Sequence, residues 1–578
     1  MTKIWQIKPK ISAELADKNP EINPLVLQLL SNRNISEPEQ IEKFLNPNYE
    51  EQIFDPYLFK DMGKAVERLF LAISNREKVM IYGDYDADGV CSTAELHQTL
   101  TALGLDADTY IPFRESEGYG LNTKIVQQII EQGFNLVITV DCGIANAKEI
   151  AMFNERQIDV IVLDHHEEPL ELPAALAIIN PNIKNSGYPP VRLCGAGVAF
   201  KFIQAIIAHQ EKINSPVKLP PGYEKWLLDL VALATVGDIV PLLSENRIFV
   251  KYGLVVLEKT KNIGLKKILE TVNNRTGKLD SEYLGWRLVP RINAAGRINH
   301  ASVAFNLLSS KTETEADKWM QMLESNNRER QQITEKLMAE ALEQLSKNFD
   351  TDKILIVSGD GWPAGVVGLI AGKICDRYGR PALAFGREKE GADCKYVGSG
   401  RSLDVFDITG ALKECHELLS RFGGHPQACG LTIMGDENFQ KFKEKIINIA
   451  NDKLAELDLT PKINIDAEIR LTDISWQLLD ELEQFEPFGE GNEKPLFCAT
   501  KLIIEQIQTV GADGKHLKVQ VSQEGSPDIH KLIGFSFGDW CAKLNAGEEI
   551  DIVFELGVNE WNGNREIQLK IVDIRKSE

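Results

Sequence analysis

The stretch IYGDYDADGVCSTAEL, residues 81–96, carries three aspartates within five positions after an apolar run. The letters VMIY at the end of that run are typical of a buried strand. From Asp84 onward the sequence also fits the EF-hand calcium loop, with Gly89 in sixth place and Glu95 in twelfth. An EF-hand loop joins two helices, whereas this loop leaves a predicted strand. The stretch therefore favours carboxylates gathered at a strand end over a calcium-binding module.

Two later apolar runs also end in ionisable side chains. Asp141 directly follows the run LVITV, and Asp164, His165 and His166 directly follow the run VIVL. Short β-rich runs alternate with helical stretches through this region, which predicts a parallel, doubly wound sheet. Ligands of such sheets bind at the carboxyl ends of the strands, so these groups should converge. A single aspartate after a strand is more often a helix N-cap, but the set, joined by Asp238 in ATVGDIVPL, indicates a metal site.

The types of side chain in this set suggest which metal they hold. Several carboxylates held close together repel one another unless cations lie between them. Carboxylate oxygens with one imidazole suit Mn²⁺ or Mg²⁺ better than zinc, and the imidazole favours Mn²⁺. Two such ions about 4 Å apart can activate a water molecule and stabilise a phosphoryl group during its transfer.

The bulk composition limits the classes of function. A chain of 578 residues with net charge −21 suggests several domains and argues against broad, non-specific nucleic-acid binding, although a local basic channel remains compatible with it. The nine scattered cysteines include no C-x-x-C pair, which favours reduced thiols in a cytoplasmic protein. We see no secretory signal and no apolar run of membrane-spanning length, so no membrane partner is expected.

The C-terminal part of the sequence is rich in strands. Its spacing of apolar runs from about residue 462 predicts a small antiparallel barrel of the OB type. Phe535, Trp540 and Trp561, with Lys518 nearby, would suit base stacking and backbone contact with a single strand, although aromatic residues in a barrel more often belong to its core.

The ordered motifs resemble a known family. DYDADG, VDCG, LDHHE and ATVGDIVPL resemble the four acidic motifs of the DHH phosphoesterase superfamily, and SGSGRS and GGHPQACG resemble its DHHA1 companion domain. FRESEGYGLN, PRINAAGRINHA, LESNNRERQ and FEPFGEGNEKPLF extend the resemblance over nearly the whole chain, to RecJ-like single-stranded-DNA exonucleases. One motif departs from the family pattern, because WPAGVVG has Pro363 where the family usually has histidine.

The resemblance implies roles for individual residues. The implied metal ligands are Asp84, Asp86, Asp88, Asp141, His165 and Asp238. Among them, Asp141 is the best candidate for a carboxylate that bridges two ions, and Asp84 is either a direct ligand or an outer neighbour of the ions. The implied catalytic pair is Asp164, which would orient an imidazole, and His166, which would donate to the scissile phosphate or the leaving oxygen. The implied substrate-binding residues are Arg114, Asn293, Arg297, Ser399, Arg401 and His425.

The resemblance also implies an architecture, namely an α/β fold with a DHH-type parallel-sheet domain and a DHHA1 α/β domain joined by a long helix, plus a C-terminal OB-fold-like β-barrel. Five parts are predicted along the chain. They are a helical N-terminal extension (1–55), the DHH catalytic domain (56–311), the connecting helix (312–349), the DHHA1 domain (350–460) and the OB-fold-like domain (461–578).

The implied activity is 5′-to-3′ hydrolysis of single-stranded DNA to 5′-mononucleotides in DNA repair and recombination. It would use two divalent cations, Mn²⁺ by preference or Mg²⁺. The implied partners are single-stranded DNA with a 5′ end, a helicase and a single-strand-binding protein. Two alternatives remain open at this point: a DHH phosphoesterase of short oligonucleotides or cyclic dinucleotides, and a non-catalytic replication-fork scaffold of the same fold.

Overall fold

The N-terminal residues form one short strand and four helices in the computed structural model. The strand β1 (Ile4–Ile7) pairs in parallel with Lys462–Ile465, near the other end of the chain. The sequence predicts only helices here, because a four-residue strand with three exposed side chains offers no alternating pattern. The helices are α1 (Ala13–Lys18), α2 (Pro24–Ser31), α3 (Pro38–Leu45) and α4 (Tyr49–Gln52).

The structure describes residues 3–213, 215, 217–272, 278–346, 352–390, 393–526, 528–561 and 564–577. Within these ranges, no helix combines the length and the apolar character needed to cross a membrane.

The next part of the chain alternates helices and strands, as predicted. Its elements are α5 (Met62–Asn75), β2 (Val79–Tyr82), α6 (Ala87–Ala102), β3 (Ala107–Tyr110), α7 (Thr123–Glu131), β4 (Leu136–Val140), α8 (Ala147–Asn154), β5 (Asp159–Leu163) and β6 (Ala177–Ile179). The five strands are parallel and lie in the order β3-β2-β4-β5-β6. Every residue of β2 and β4 is buried, as expected for strands covered on both faces.

This strand order shows whether residues 81–96 form a calcium loop or place carboxylates at a strand end. Since β2, β4 and β5 are neighbours, their carboxyl ends meet at one edge of the sheet and bring Asp84, Asp141 and Asp164 together. The loop after β2 leads into α6, with Asp86 as its N-cap. The calcium-loop interpretation is therefore wrong, because a strand and not a helix precedes the loop.

A layer of helices covers this sheet and carries the fourth acidic motif. The helices are α9 (Gly195–Lys212), α10 (Leu228–Gly237), α11 (Ser244–Leu257), α12 (Ile263–Val272), α13 (Ser281–Tyr283), α14 (Val289–Ile298) and α15 (Ser302–Leu308), with a π-helical turn at Leu284–Leu288. α10 is almost entirely apolar and packs against α6, α9 and α11. It ends at Asp238, its C-cap, which is thereby held beside the start of α6.

A single long helix, α16 (Glu313–Ser346), joins the two α/β parts of the chain. It packs against α12, α14 and α15 on one side and reaches α17 and β7 of the next domain on the other. The end predicted for this helix, at residue 349, lies outside the described residues.

The second α/β domain contains β7 (Leu355–Asp360), α17 (Ala364–Tyr378), β8 (Ala382–Glu390), β9 (Asp393–Arg401), α18 (Ile408–Lys413), β10 (Arg421–His425), β11 (Ala428–Met434) and α19 (Asp436–Lys453). Its sheet runs β10-β11-β9-β8-β7, with only the β7–β8 pair parallel. Pro363, the departure from the family pattern, is the N-cap of α17.

The C-terminal part forms a closed barrel. Its elements are β12 (Lys462–Ile465), β13 (Ala467–Glu468), α20 (Trp476–Glu483), β14 (Phe497–Val510), β15 (His516–Gln523), β16 (His530–Gly534), β17 (Glu549–Trp561) and β18 (Asn564–Lys576). The order β13-β14-β15-β16-β18-β17 is closed by pairing of β14 with β17. The predicted antiparallel pattern is incomplete, since β13–β14 and β16–β18 are parallel. Phe535 is exposed and Trp540 packs at the edge of the barrel core, while the side chain of Trp561 lies outside the described part.

Candidate metal centre and active site

The first acidic motif is held by the start of α6. Asp86 caps the helix, and its Oδ1 accepts hydrogen bonds from the backbone N–H of Asp88 at 2.9 Å and of Gly89 at 3.1 Å. Asp88 is buried, and its two oxygens accept from the N–H groups of Gly195 at 2.5 Å and Ala196 at 2.8 Å, at the N-terminus of α9. Two helix N-termini thus fix these carboxylates in place.

Asp141 is held at the end of the central strand in a left-handed backbone conformation, with φ of 59°. A non-glycine residue rarely adopts this conformation, and such strain concentrates at functional sites. Gly195 packs so closely that a Cβ added there would lie 2.6 Å from the Asp141 Cβ, so glycine is required.

His165 lies among three of the predicted metal ligands. Its Nε2 is 3.0 Å from Asp141 Oδ1 and 3.6 Å from Asp88 Oδ2, and its Nδ1 is 3.7 Å from Asp238 Oδ2. Burial, assisted by the positive charge of neighbouring His166, lowers the pKa of His165 to about 4. A neutral imidazole is the form that binds a metal ion.

The cluster offers three overlapping groups of three residues. Within each group, one possible ligand atom from each residue lies within 4.8 Å of the other two. The groups are Asp84, Asp86 and Asp141; Asp88, His165 and Asp238; and Asp141, His165 and His166. Asp141 and His165 each belong to two of them, and Asp141 is the one carboxylate that does so.

The charge balance of the cluster fits divalent cations. Burial is the larger cause, and repulsion from neighbouring carboxylates the second, of raised pKa values in this cluster. Together they raise the pKa of Asp84 and Asp141 well above the usual value and the pKa of Asp238 to about 9. Asp84 Oδ1 is buried and has no hydrogen-bond partner among the described residues. Cations between these oxygens would remove the repulsion and give the unpaired oxygen a partner.

Asp164 and His166 form a separate hydrogen-bonded pair beside the cluster. Asp164 Oδ1 lies 2.7 Å from His166 Nδ1 and also accepts from the backbone N–H of both histidines, while Oδ2 accepts from Ile144 N–H at 2.9 Å. Burial lowers the pKa of His166, but the carboxylate of Asp164 outweighs it and the net pKa rises to about 9. The contact with Asp164 occupies Nδ1, which leaves Nε2 as the second donor of the protonated ring.

The predicted substrate-binding arginines come together above this centre. Arg297 on α14 donates to the carbonyl of Gly365 at 3.0 Å, and burial is the main cause that lowers its pKa to about 9. Three other positive charges add to that effect, namely Arg114, Arg330 and Arg401. Four guanidinium groups whose charges act together, with Asp86 as the acid that acts on Arg297, form a candidate anion site. We call these four residues the arginine cluster.

Neighbouring groups orient the arginine cluster. Arg401 Nη1 donates to Ser399 Oγ at 3.2 Å and to the carbonyl of Gly400 at 2.8 Å, and Arg114 stacks over the ring of Tyr85 at 5.0 Å. Arg330 Nε is buried without a hydrogen-bond partner among the described residues, which leaves it available to an anion.

Two predicted substrate-binding residues have other surroundings. Asn293 Oδ1 accepts from the N–H of Ala87 at 2.8 Å, so its carbonyl oxygen fixes the start of α6. His425 is an exposed residue at the end of β10, and its backbone carbonyl accepts from Thr409 Oγ1 at 2.6 Å. The described contacts do not place His425 in the arginine cluster.

Sequence reasoning missed two members of the site. Tyr119 Oη is 2.9 Å from His166 Nδ1 and donates to the carbonyl of Asp141 at 3.2 Å, so it connects both halves of the centre. Arg330 comes from the long helix. Both lie within motifs that carry the family resemblance, EGYGLN and LESNNRERQ, and that position was the available signal.

Comparison with known proteins agrees with this geometry. Family models match residues 78–235 as "DHH family, N-terminal domain", 351–452 as "DHHA1 domain" and 465–573 as "RecJ OB domain". The fold and the acidic centre thus define a DHH protein with a DHHA1 companion domain.

Relatives specify the family further. "Single-stranded-DNA-specific exonuclease RecJ" of Bacillus subtilis (strain 168) is 37% identical over 96% of this chain and 68% of its own length. The Escherichia coli (strain K12) protein of the same name is 32% identical over 98% of this chain and 99% of its own length. The crystal structure of RecJ in complex with Mn²⁺ from Thermus thermophilus is 27% identical, with a TM-score of 0.83 over 100% of this chain and 80% of that chain. The chain belongs to the RecJ family.

Proposed function

We propose that this protein is a metal-dependent exonuclease that degrades single-stranded DNA from its 5′ end and releases 5′-mononucleotides. The observation that carries the proposal is the proximity of two oppositely charged sites: α14, which carries Arg297, packs against the loop of Asp84 and Asp86 through Gly296 and Asn293. Asp86 belongs to the acidic site, and its charge acts on Arg297 of the arginine cluster. The end of a 5′-phosphorylated strand would use both sites: the arginine cluster would bind its terminal phosphate, and the cations would act on the neighbouring phosphodiester.

The ligands that we assign to the cations are Asp84, Asp86, Asp88, Asp141, His165 and Asp238. Bound Mn²⁺ or Mg²⁺ ions supply activation of water and neutralisation of charge at the scissile phosphate. The chain contributes fixed geometry, because helix N-termini hold Asp88 and the strained end of β4 holds Asp141. Ligand atoms fixed in this way need little rearrangement when the substrate arrives.

His166 is the proposed proton donor. Its Nδ1 proton is shared with Asp164 and Tyr119, so its Nε2 proton is free to be donated to a phosphate oxygen or to the leaving 3′-oxygen. The carboxylate of Asp164 raises the pKa of His166, which favours the protonated imidazole that a proton donor requires.

The arginine cluster is the proposed 5′-phosphate site. Its members come from the DHH domain, from α16 and from β9 of the DHHA1 domain, so the terminal phosphate would be held between two domains. A phosphate bound there would place the first phosphodiester bond over the carboxylates. This arrangement supports an exonuclease that removes one nucleotide at a time from the 5′ end. Asn293, Ser399 and His425 are proposed as secondary contacts to the strand.

In the cell we propose a cytoplasmic enzyme of DNA repair and recombination. A helicase would supply unwound 5′ strands, and a single-strand-binding protein would hold them.

Directional labelling tests the proposal. A 5′-phosphorylated single strand is labelled at its 5′ end in one sample and at its 3′ end in another, and each is incubated with Mn²⁺ or Mg²⁺. We expect labelled mononucleotide from the first and a ladder of shortening strands from the second, with a blunt duplex resistant. A ladder from the 5′-labelled strand would reverse the proposed polarity.

The same assay separates the alternatives. A phosphoesterase of small substrates would hydrolyse dinucleotides or cyclic dinucleotides while leaving long strands uncut. A scaffold would bind strands and release no nucleotide with either metal.

A further inference from the structure

A large cavity lies between the metal centre and the barrel domain. It measures about 700 Å³ and is bounded by the end of α10, by the π-helical turn and α14, and by the loop 486–494. Asn293 and Arg297 form its wall toward the active site, and Gly237 and Ile239 flank the predicted ligand Asp238. The cavity therefore begins at the active site and ends at the barrel domain.

Exposed apolar side chains lie along this cavity. Trp286 is 76% exposed and Ile239 is 69% exposed, and the half-buried Phe488 contributes further apolar surface. Ile239 also has a φ of 56°, a conformation that is strained for a β-branched residue. Exposed aromatic surface and local strain beside a catalytic centre are both features of a ligand site.

The volume and chemistry of the cavity suit nucleobases. Ligand pockets of this size are mostly apolar with a few polar groups, which here include Asn293 and Arg297. An exposed indole accepts any base by stacking, so such a site would take strands of any sequence.

The charges at the cavity mouth indicate how a strand would lie. Acidic residues outnumber basic ones in its lining, with Asp280, Glu282, Glu486, Glu490 and Glu493 against Lys494 and Arg297. Lys278 pairs with Glu486 at 2.6 Å, and Glu493 accepts from the N–H of Gly491 at 3.2 Å. Phosphates would avoid this rim, whereas uncharged bases could enter. A strand would thus insert its bases and keep its backbone outside, and Arg287, which follows Trp286 in the sequence, is exposed.

We propose that this cavity binds one or two nucleobases on the 3′ side of the scissile bond, with Trp286 as the stacking platform. This inference rests on the proposed function and adds a specific base site to it. The site would hold the strand after each cut, so that the new 5′ end can advance into the arginine cluster without dissociation.

An abasic scan of binding tests the inference. The probe is a 5′-phosphorylated, fluorescently labelled oligo(dT) with one abasic residue placed in turn at each of the first eight positions. Binding to the full-length protein is measured by anisotropy with Ca²⁺, which occupies oxygen sites but supports little turnover. We expect one or two internal positions at which loss of the base weakens binding by about 5- to 150-fold.

Variants assign that loss to the cavity. In Trp286→Ala the intact strand should bind more weakly by a similar factor, and an abasic residue at those positions should cost nothing further. Trp286→Tyr should restore the wild-type profile, because it keeps an aromatic ring. Trp226→Ala is the matched control, since Trp226 is also exposed on the same domain but does not line this cavity. Melting temperatures verify that each variant is folded.

The outcomes separate the two claims. If wild type cuts single strands but Trp286→Ala keeps the wild-type abasic profile, the base site is wrong and the exonuclease function stands. If the tyrosine variant behaves like the alanine variant, stacking is not the interaction, and the inference is overturned. If wild type neither binds nor cuts any single strand, the proposed function fails, and this inference fails with it.

Discussion

Replacing Arg401 by alanine should reduce the preference of the enzyme for a 5′-phosphorylated end. Among the described residues, this guanidinium donates only through Nη1, to Ser399 and to Gly400, so its remaining N–H groups can bind a phosphate. Burial, and to a smaller extent repulsion from Arg114, lower the pKa of Arg401, and a bound anion would offset both effects.

The size of the effect follows from one lost charge-assisted hydrogen bond, about 1.5–3 kcal/mol. This free energy corresponds to a loss of roughly 10- to 150-fold in kcat/KM on the phosphorylated strand. The 5′-hydroxyl strand never makes this contact, so its kcat/KM should change little. Arg401→Lys should lie between the two, because it keeps the charge but not the planar fork.

The assay compares single-turnover cleavage of the two strands by wild type, Arg401→Ala and Arg401→Lys. Arg377→Ala serves as a control, since Arg377 is an exposed arginine of the same domain. Inorganic phosphate should also raise the melting temperature of wild type more than that of Arg401→Ala. An unchanged ratio of the two substrates in both Arg401→Ala and Arg297→Ala would show that the terminal phosphate binds elsewhere.

Three further perturbations follow from the structure. Arg247 donates to three backbone carbonyls of the N-terminal and barrel domains, so Arg247→Met should destabilise the protein by on the order of 3 kcal/mol, seen in denaturant unfolding; an unchanged midpoint would contradict this. Burial raises the pKa of Asp229 from 3.8 to about 6, so the folded state holds this proton more tightly and stability falls as pH rises between these values. Asp229→Asn should therefore be more stable than wild type above about pH 6, by up to about 3 kcal/mol, and should lose that advantage near pH 4; a difference independent of pH would refute it. Tyr119→Phe should lower kcat with little change in KM, because His166 loses a partner; an equal rise in KM would indicate a binding role instead.

The metal centre could be predicted from the sequence because topology places it. Parallel strands that end in acids must bring those acids to one edge once the strands are neighbours, and the β-rich runs before Asp84, Asp141 and Asp164 made the strands recognisable. The position of Asp238 followed only from the family motif, since it lies at the end of a helix and not of a strand.

The parts that escaped prediction depend on contacts between distant segments. β1 pairs with β12 across more than 450 residues, and the apolar faces of α2 and α3 belong to the same core as the barrel. No local pattern in the sequence encodes such pairing. One consequence is experimental: a protein ending near residue 460 would expose the core faces of these N-terminal helices, so point variants test the barrel better than truncation does.

The arginine cluster shows a similar limit. Arg297 and Arg401 could be proposed individually from their motifs, but the approach of Arg330 requires the long helix to lie across both domains. The mutual repulsion of the four guanidinium groups can be recognised only from the three-dimensional positions of these residues.

The central claim is that carboxylates at the ends of β2 and β4 hold two catalytic cations, with Asp141 shared between them. The most direct measurement is Mn²⁺ binding by titration calorimetry together with single-strand hydrolysis, for wild type and for Asp141→Asn at the same pH. We predict two Mn²⁺ ions per wild-type chain, and in the variant a weakened site and a loss of turnover greater than about 100-fold with the fold retained. An Asp141→Asn protein that binds two ions as tightly as wild type and hydrolyses the strand at a similar rate would contradict the account.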